Sequence, residues 1–167
     1  MKFYGKRSLA SFLKVIMDIL IIVAPLVFIG AFVLSITSGH EPVLDNLNAT
    51  TVITAILYIL GGSSLMAILI NLRNIVASLI ESNPFILKNV TRLKNIAISC
   101  FTITVCYIIN FFINQQFNDF KFIVIDAKGI HTDIEFLIFF FTGCFILILS
   151  QVFKQAIEYK EDNDLTI

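Results

Sequence analysis

Apolar residues dominate four stretches of the chain, at about 12–36, 52–72, 96–114 and 134–153, and polar residues gather between them. Positions 19–38 and 136–153 carry no charge at all. A helix needs about 20 apolar residues to cross a hydrocarbon layer of roughly 30 Å, and these runs have that length. Backbone N–H and C=O groups in lipid must be satisfied within the spanning structure itself, so the runs predict four transmembrane helices. The first run follows Lys2, Lys6 and Arg7, and Ser35, Ile36 and Thr37 resemble a cleavage site. Its apolar stretch exceeds the roughly 7–15 residues of a signal core, which predicts a permanent span.

The polar segment between the second and third runs keeps a helical rhythm. Leu72, Ile75, Val76, Leu79 and Ile80 repeat at helical spacing, with Arg73, Asn74, Ser78 and Glu81 between them. Ser82, Asn83, Pro84 and Phe85 then interrupt it. Asn83 suits a helix cap and Pro84 the first helical position, where its missing N–H costs nothing. A further helix should carry Ile86, Val90, Leu93 and Ala97 on one face and Lys88, Arg92 and Lys94 on the other. The second and third spans therefore extend past the lipid as helices. After the fourth run, Lys154 and Glu158 stand one turn apart and lend weak support to a helical tail. Between the third and fourth runs, Phe120, Lys121, Phe122, Ile123, Val124 and Ile125 read as a short strand before a turn at Ala127, Lys128 and Gly129, with Val43 and Leu44 as its expected partner.

Composition agrees with this layout. Hydrophobic residues make up 57% of the 167 and charged residues 14%, against about 25% charged in soluble domains. A soluble fold of this size has too little interior to hide so much apolar surface. One integral membrane domain, 1–167, is expected. Lys and Arg set its orientation. Ten of the twelve (Lys2, Lys6, Arg7, Lys14, Arg73, Lys88, Arg92, Lys94, Lys154 and Lys160) fall on one side, and Lys121 and Lys128 on the other. Both termini and the middle segment should be cytoplasmic, in an all-α, four-helix bundle of the plasma membrane. Net charge is zero, so nothing points to direct nucleic-acid binding.

Candidate chemistry is sparse. Cys100, Cys106 and Cys144 all sit inside apolar runs without metal-ligand spacing and read as small hydrophobes. His40, Glu41, Asp45, Asp126, His131 and Asp133 share the outer side without a fixed ligand pattern. Asp18 is the one acid within a span, and an ionisable group at that depth needs a partner. Lys14, four residues earlier, is the expected one, with Arg73, Arg92 or Lys154 within reach of the same level. Gly61, Gly62, Ser63, Ser64 and Ala67 would let two helix backbones approach closely, as a seam inside one chain ahead of a contact between copies. No cofactor or catalytic constellation is legible, and the chain reads as a non-enzyme.

Asn83, Pro84 and Phe85 followed by Asn89, Val90, Arg92, Leu93 and Ile96, together with the ending Asp164, Leu165, Thr166 and Ile167, resemble a family signature. The family is the group of small bacterial four-helix membrane proteins catalogued as domain of unknown function 2975, and the likeness would extend over nearly the whole chain. It implies no activity. It does imply company with small helix-turn-helix regulators, and hence a membrane component that engages a cytoplasmic regulatory protein through Asn83, Pro84, Phe85, Arg92, Asp164, Leu165, Thr166 and Ile167. Homo-oligomers are compatible with this reading. The alternative is a small transporter or channel subunit, or an immunity protein against a membrane-active peptide.

Overall fold

The computed structural model describes residues 9–37, 48–81, 84–114, 124–126, 129–131 and 134–164. Four helices account for most of them: α1 (Leu9–Thr37), α2 (Ala49–Ile80), α3 (Leu87–Ile113) and α4 (Glu135–Asp164). Each is long and apolar enough to cross a membrane. At 1.5 Å rise per residue, the 32 residues of α2 and the 30 of α4 measure about 48 and 45 Å, well beyond a hydrocarbon thickness of about 30 Å. Two three-residue strands, β1 (Val124–Asp126) and β2 (Gly129–His131), pair antiparallel, with Ile125 opposite Ile130. Val124 and Ile125 of the expected strand lie in β1, and Phe120–Ile123 lie outside the described residues. Its partner is the segment just downstream, where two intervening residues suffice for a hairpin; Val43 and Leu44 lie outside the described residues.

Consecutive helices run antiparallel, as the paired side chains show. Asp18 near the start of α1 meets Arg73 near the end of α2, and Phe28 farther along α1 meets Tyr58. Ser78 meets Asn89 across α2 and α3, and Thr54 meets Asn114 at the opposite end of the same seam. The start of α1, the 81–86 connection and the end of α4 therefore share one end of the molecule, called here the turn end.

The expected four-helix bundle packs sequentially. Among the described residues, α1 packs on α2, α2 on α3 and α3 on α4, and no other pair of helices comes within 8 Å between Cα atoms. The four helices form an open row in chain order. Its core lies along α3, which buries Val90, Leu93, Ile96, Ala97, Cys100 and Ile103. These positions recur every three or four residues and broaden into the two flanks that face α2 and α4. By contrast α1 leaves Phe12, Ile22, Leu26, Val27 and Leu34 more than 60% exposed, which is costly in water and natural in lipid.

Small residues set the two close seams. A Cβ built on Gly62 would run into the ring of Phe28, so α1 lays an aromatic ring directly on the α2 backbone. That ring also stacks on Tyr58 at 4.3 Å, and the Tyr58 hydroxyl donates to the Phe28 carbonyl at 3.2 Å. Of the small-residue stretch in the second span, Gly62 thus lies at a seam within one chain, while Gly61 meets nothing within 4 Å. On the other side, a Cβ on Gly143 would lie 3.0 Å from Phe101 and 3.2 Å from the Cys100 Cβ. Ser150 on α4 is fully buried and donates to the Val90 carbonyl at 3.1 Å, while Thr104 donates to the Phe136 carbonyl at 3.3 Å.

Candidate functional site

At the turn end, polar side chains from three helices join into one network. The α3 helix starts three residues later than the proline rule predicts. Pro84 and Phe85 precede it in non-helical conformation, and Ile86 takes the N-cap position at φ −131°, ψ 145° without a side-chain cap. Asn89 supplies what the cap does not. Its Nδ2 donates to the Pro84 carbonyl at 2.8 Å and to Ser78 Oγ at 2.6 Å, while Ser78 Oγ donates back to the Ile75 carbonyl at 2.7 Å. Asn89 is completely buried, and one amide thus holds Pro84 and the helix start with both of its N–H groups donating and its oxygen accepting from Arg92.

Arg92 was expected on the exposed face of α3. It is half-buried instead, and its Nη1 donates to Asn89 Oδ1 at 2.9 Å and to the Asn74 carbonyl at 3.0 Å. The guanidinium has several donors and a long apolar stem, so it can lie along the seam and still reach these acceptors. Asn74 carries the network onward through its Oδ1 to Arg73 Nη1 at 3.4 Å, and Arg73 Nε donates to Asp18 Oδ1 at 2.8 Å.

The partner of Asp18 is therefore Arg73 on α2, and the pairing with Lys14 is corrected. Two side chains on one helix must both bend to meet, and a cation placed before the acid is the weaker order. The neighbouring helix offers an arginine at the same level with no such demand. Of the residues singled out for partner contact, Pro84 and Arg92 lie in this network. Phe85 is 45% exposed and stacks on Phe153 of α4 at 5.5 Å, which ties the turn to the tail. Asp164 ends α4, while Asn83, Leu165, Thr166 and Ile167 lie outside the described residues. Lys88 is exposed, Lys94 half-buried, and Lys154 pairs with Glu158 at 3.4 Å.

Sequence reasoning missed the central role of Asn89 and Ser78. An asparagine among apolar positions of an α3 face was the available signal, since a buried amide at a helix seam requires partners. A second feature, also unforeseen, is a cleft of about 350 Å3 in the half of the molecule away from the turn end, walled by all four helices. Among the described residues no group of His, Cys, Asp and Glu side chains is placed to hold a metal ion.

Fold and site together define a small helical protein with four membrane-length helices and a polar lock at one end. The chain belongs to the family described as Protein of unknown function (DUF2975), whose model matches residues 40–167. The match leaves out α1, so the likeness is narrower than the whole chain. No curated protein and no solved structure matches the sequence.

Proposed function

We propose that the chain is a non-enzymatic regulator or adaptor of the bacterial plasma membrane, with both termini and the turn end in the cytoplasm. Its role is to engage a cytoplasmic partner, of which a small helix-turn-helix regulator is the leading type. The orientation rests on the ten-to-two division of Lys and Arg between the two sides. The observation that carries the reading is the construction of the turn end. Pro84 is held by Asn89, which is bonded in turn to Ser78 and Arg92, and Phe85 stacks on Phe153. From that joint α4 continues as an exposed helix through Glu158, Tyr159, Lys160, Glu161 and Asp162. Eleven residues beyond Phe153 reach about 16 Å at helical rise. A helical, charged projection beside the braced residues Pro84–Ile86 can present a preformed surface, which lowers the entropic cost of binding.

The test is site-specific photo-crosslinking in native membranes, with a photoreactive residue at Phe85 and separately at Tyr159. The expected result is an adduct with one DNA-binding protein from both positions, lost when 162–167 is deleted. Disrupting the contact should also change expression of the genes that regulator controls. Absence of any protein adduct from either position, with unchanged expression after the deletion, overturns the proposal.

A further inference from the structure

The cleft away from the turn end has the shape and polarity of a site for one lipid chain. Thr54 and Asn110 line one end of it, and Leu65 and Ile103 line the other. From Thr54 to Leu65 α2 climbs 11 residues, about 16 Å, so the cavity is a slot running along the helices. Its polar end lies near the helix ends, since Asn110 is one turn before Asn114, the last residue of α3's cap, and Thr54 follows soon after the start of α2. Its deep end lies towards the middle of the spans. Gly61 faces it with nothing within 4 Å of where a Cβ would stand, and Phe28, Tyr107 and Phe139 complete apolar walls. The volume, about 350 Å3, falls in the range of roughly 300–1,000 Å3 that holds small ligands.

We propose that this slot holds one acyl chain of a bilayer phospholipid, with the ester oxygens at Thr54 and Asn110. The solvent around these helices in a membrane is hydrocarbon, and an apolar slot that opens between spans fills with the chain nearest to it. The polar end supplies the matching chemistry. Asn110 Oδ1 accepts from Asn114 Nδ2 at 2.9 Å, and no described residue accepts from the Asn110 amide N–H groups, which leaves them to donate to an ester carbonyl. The Thr54 hydroxyl accepts a long bond from Asn114 at 3.5 Å and keeps its own hydrogen for a second ester oxygen. Phe28 is the α1 wall, seated on Gly62, so α1 closes a slot that α2, α3 and α4 would otherwise leave open. The inference requires a bilayer around the chain but no cytoplasmic partner.

The experiment uses the full chain in nanodiscs of phosphatidylglycerol and phosphatidylethanolamine containing a trace of phospholipid with a diazirine in one acyl chain. After irradiation, labelled peptides are mapped by mass spectrometry. The expected result is labelling concentrated on 54–65 and 103–110. It should fall at least fivefold in Gly61→Phe and in Ile103→Phe, two independent ways of filling the slot, and hold in Gly30→Phe, where an added Cβ also meets nothing within 4 Å. Asn110→Ala should reduce labelling by the phospholipid more than labelling by a diazirine alkane without ester groups. Labelling spread evenly over the exposed faces of α1 and α4, or unchanged in both filled variants, overturns the proposal. So does labelling by a free fatty acid with none by the phospholipid, or a disulfide-linked dimer through Gly61→Cys, which would place a second copy in the slot.

Discussion

At the scale of single residues the structure turns on side chains with no spare hydrogen-bonding capacity or no spare room. Asn89→Ala would remove three buried or part-buried side-chain hydrogen bonds, those to Ser78 Oγ and the Pro84 carbonyl and the one accepted from Arg92, and leave a cavity at a fully buried position. Unsatisfied buried groups of this kind cost about 1–3 kcal/mol each. A loss of about 2 kcal/mol is expected for the variant, read by reversible unfolding in mixed micelles. Neighbouring glycines make a sharper comparison. Gly62→Ala must push the Phe28 ring off the α2 backbone, and an overpacked seam typically costs about 1–3 kcal/mol. Gly61→Ala meets open space and should be neutral or gain up to about 1 kcal/mol from helix propensity. The two adjacent substitutions should therefore differ in sign, or nearly so, in the same unfolding measurement. The sequence displayed Gly61 and Gly62 as equivalent members of one small-residue stretch; only the position of Phe28 on the facing helix distinguishes them.

At the scale of elements the hydrophobic runs located every helix, and their ends were where the pattern gave out. Apolar periodicity through Ile80 foretold the long α2, and alternation of Lys154 with Glu158 hinted at the long α4. The start of α3 was misjudged because Pro84 is an equally good residue for an extended turn, and the choice is made by Asn89, five positions downstream and buried against another helix. Arg92 was misplaced for a related reason: a guanidinium is read as surface in sequence, although its stem packs well along a seam. The ion pair shows the same limit, since spacing along one helix favours Lys14 and only tertiary register selects Arg73. Arg73 and Asp18 keep 36% and 43% of their side-chain surface exposed. A double-mutant cycle with Asp18→Asn and Arg73→Gln should show that the two changes are coupled, each single variant costing more than its share of the double variant's loss, because either one leaves the other charge unpaired within a span. Strictly additive losses would mean that Asp18 and Arg73 do not depend on each other in the folded chain.

At the scale of the whole molecule, the open row of helices was invisible in the sequence. Four spans of similar length and mean hydropathy can close into a square or lie side by side, and nothing in their periodicity chooses between the two. Burial makes the difference plain: among the described residues, α3 is lined on both flanks while α1 packs on α2 alone of the helices. Chemical crosslinking provides the check. In a cysteine-free background, Thr54→Cys with Asn114→Cys should be joined readily by a short bifunctional reagent. Ile22→Cys with Phe141→Cys, on α1 and α4, should remain unjoined within a single chain. A high yield from the second pair would show that the row closes.

The packing of α1 on α2 alone among the described helices also has a mechanical consequence. Tension applied between the two ends of the chain would load, among the described contacts, the Phe28 ring seated on Gly62, the stacking of Phe28 and Phe32 on Tyr58, the Tyr58 hydrogen bond and the Asp18–Arg73 ion pair. A pulling experiment on the protein in a bilayer should show α1 peeling away as a separate low-force step, with α2, α3 and α4 yielding later as a unit. Gly62→Ala should lower the first rupture and leave the second where it was.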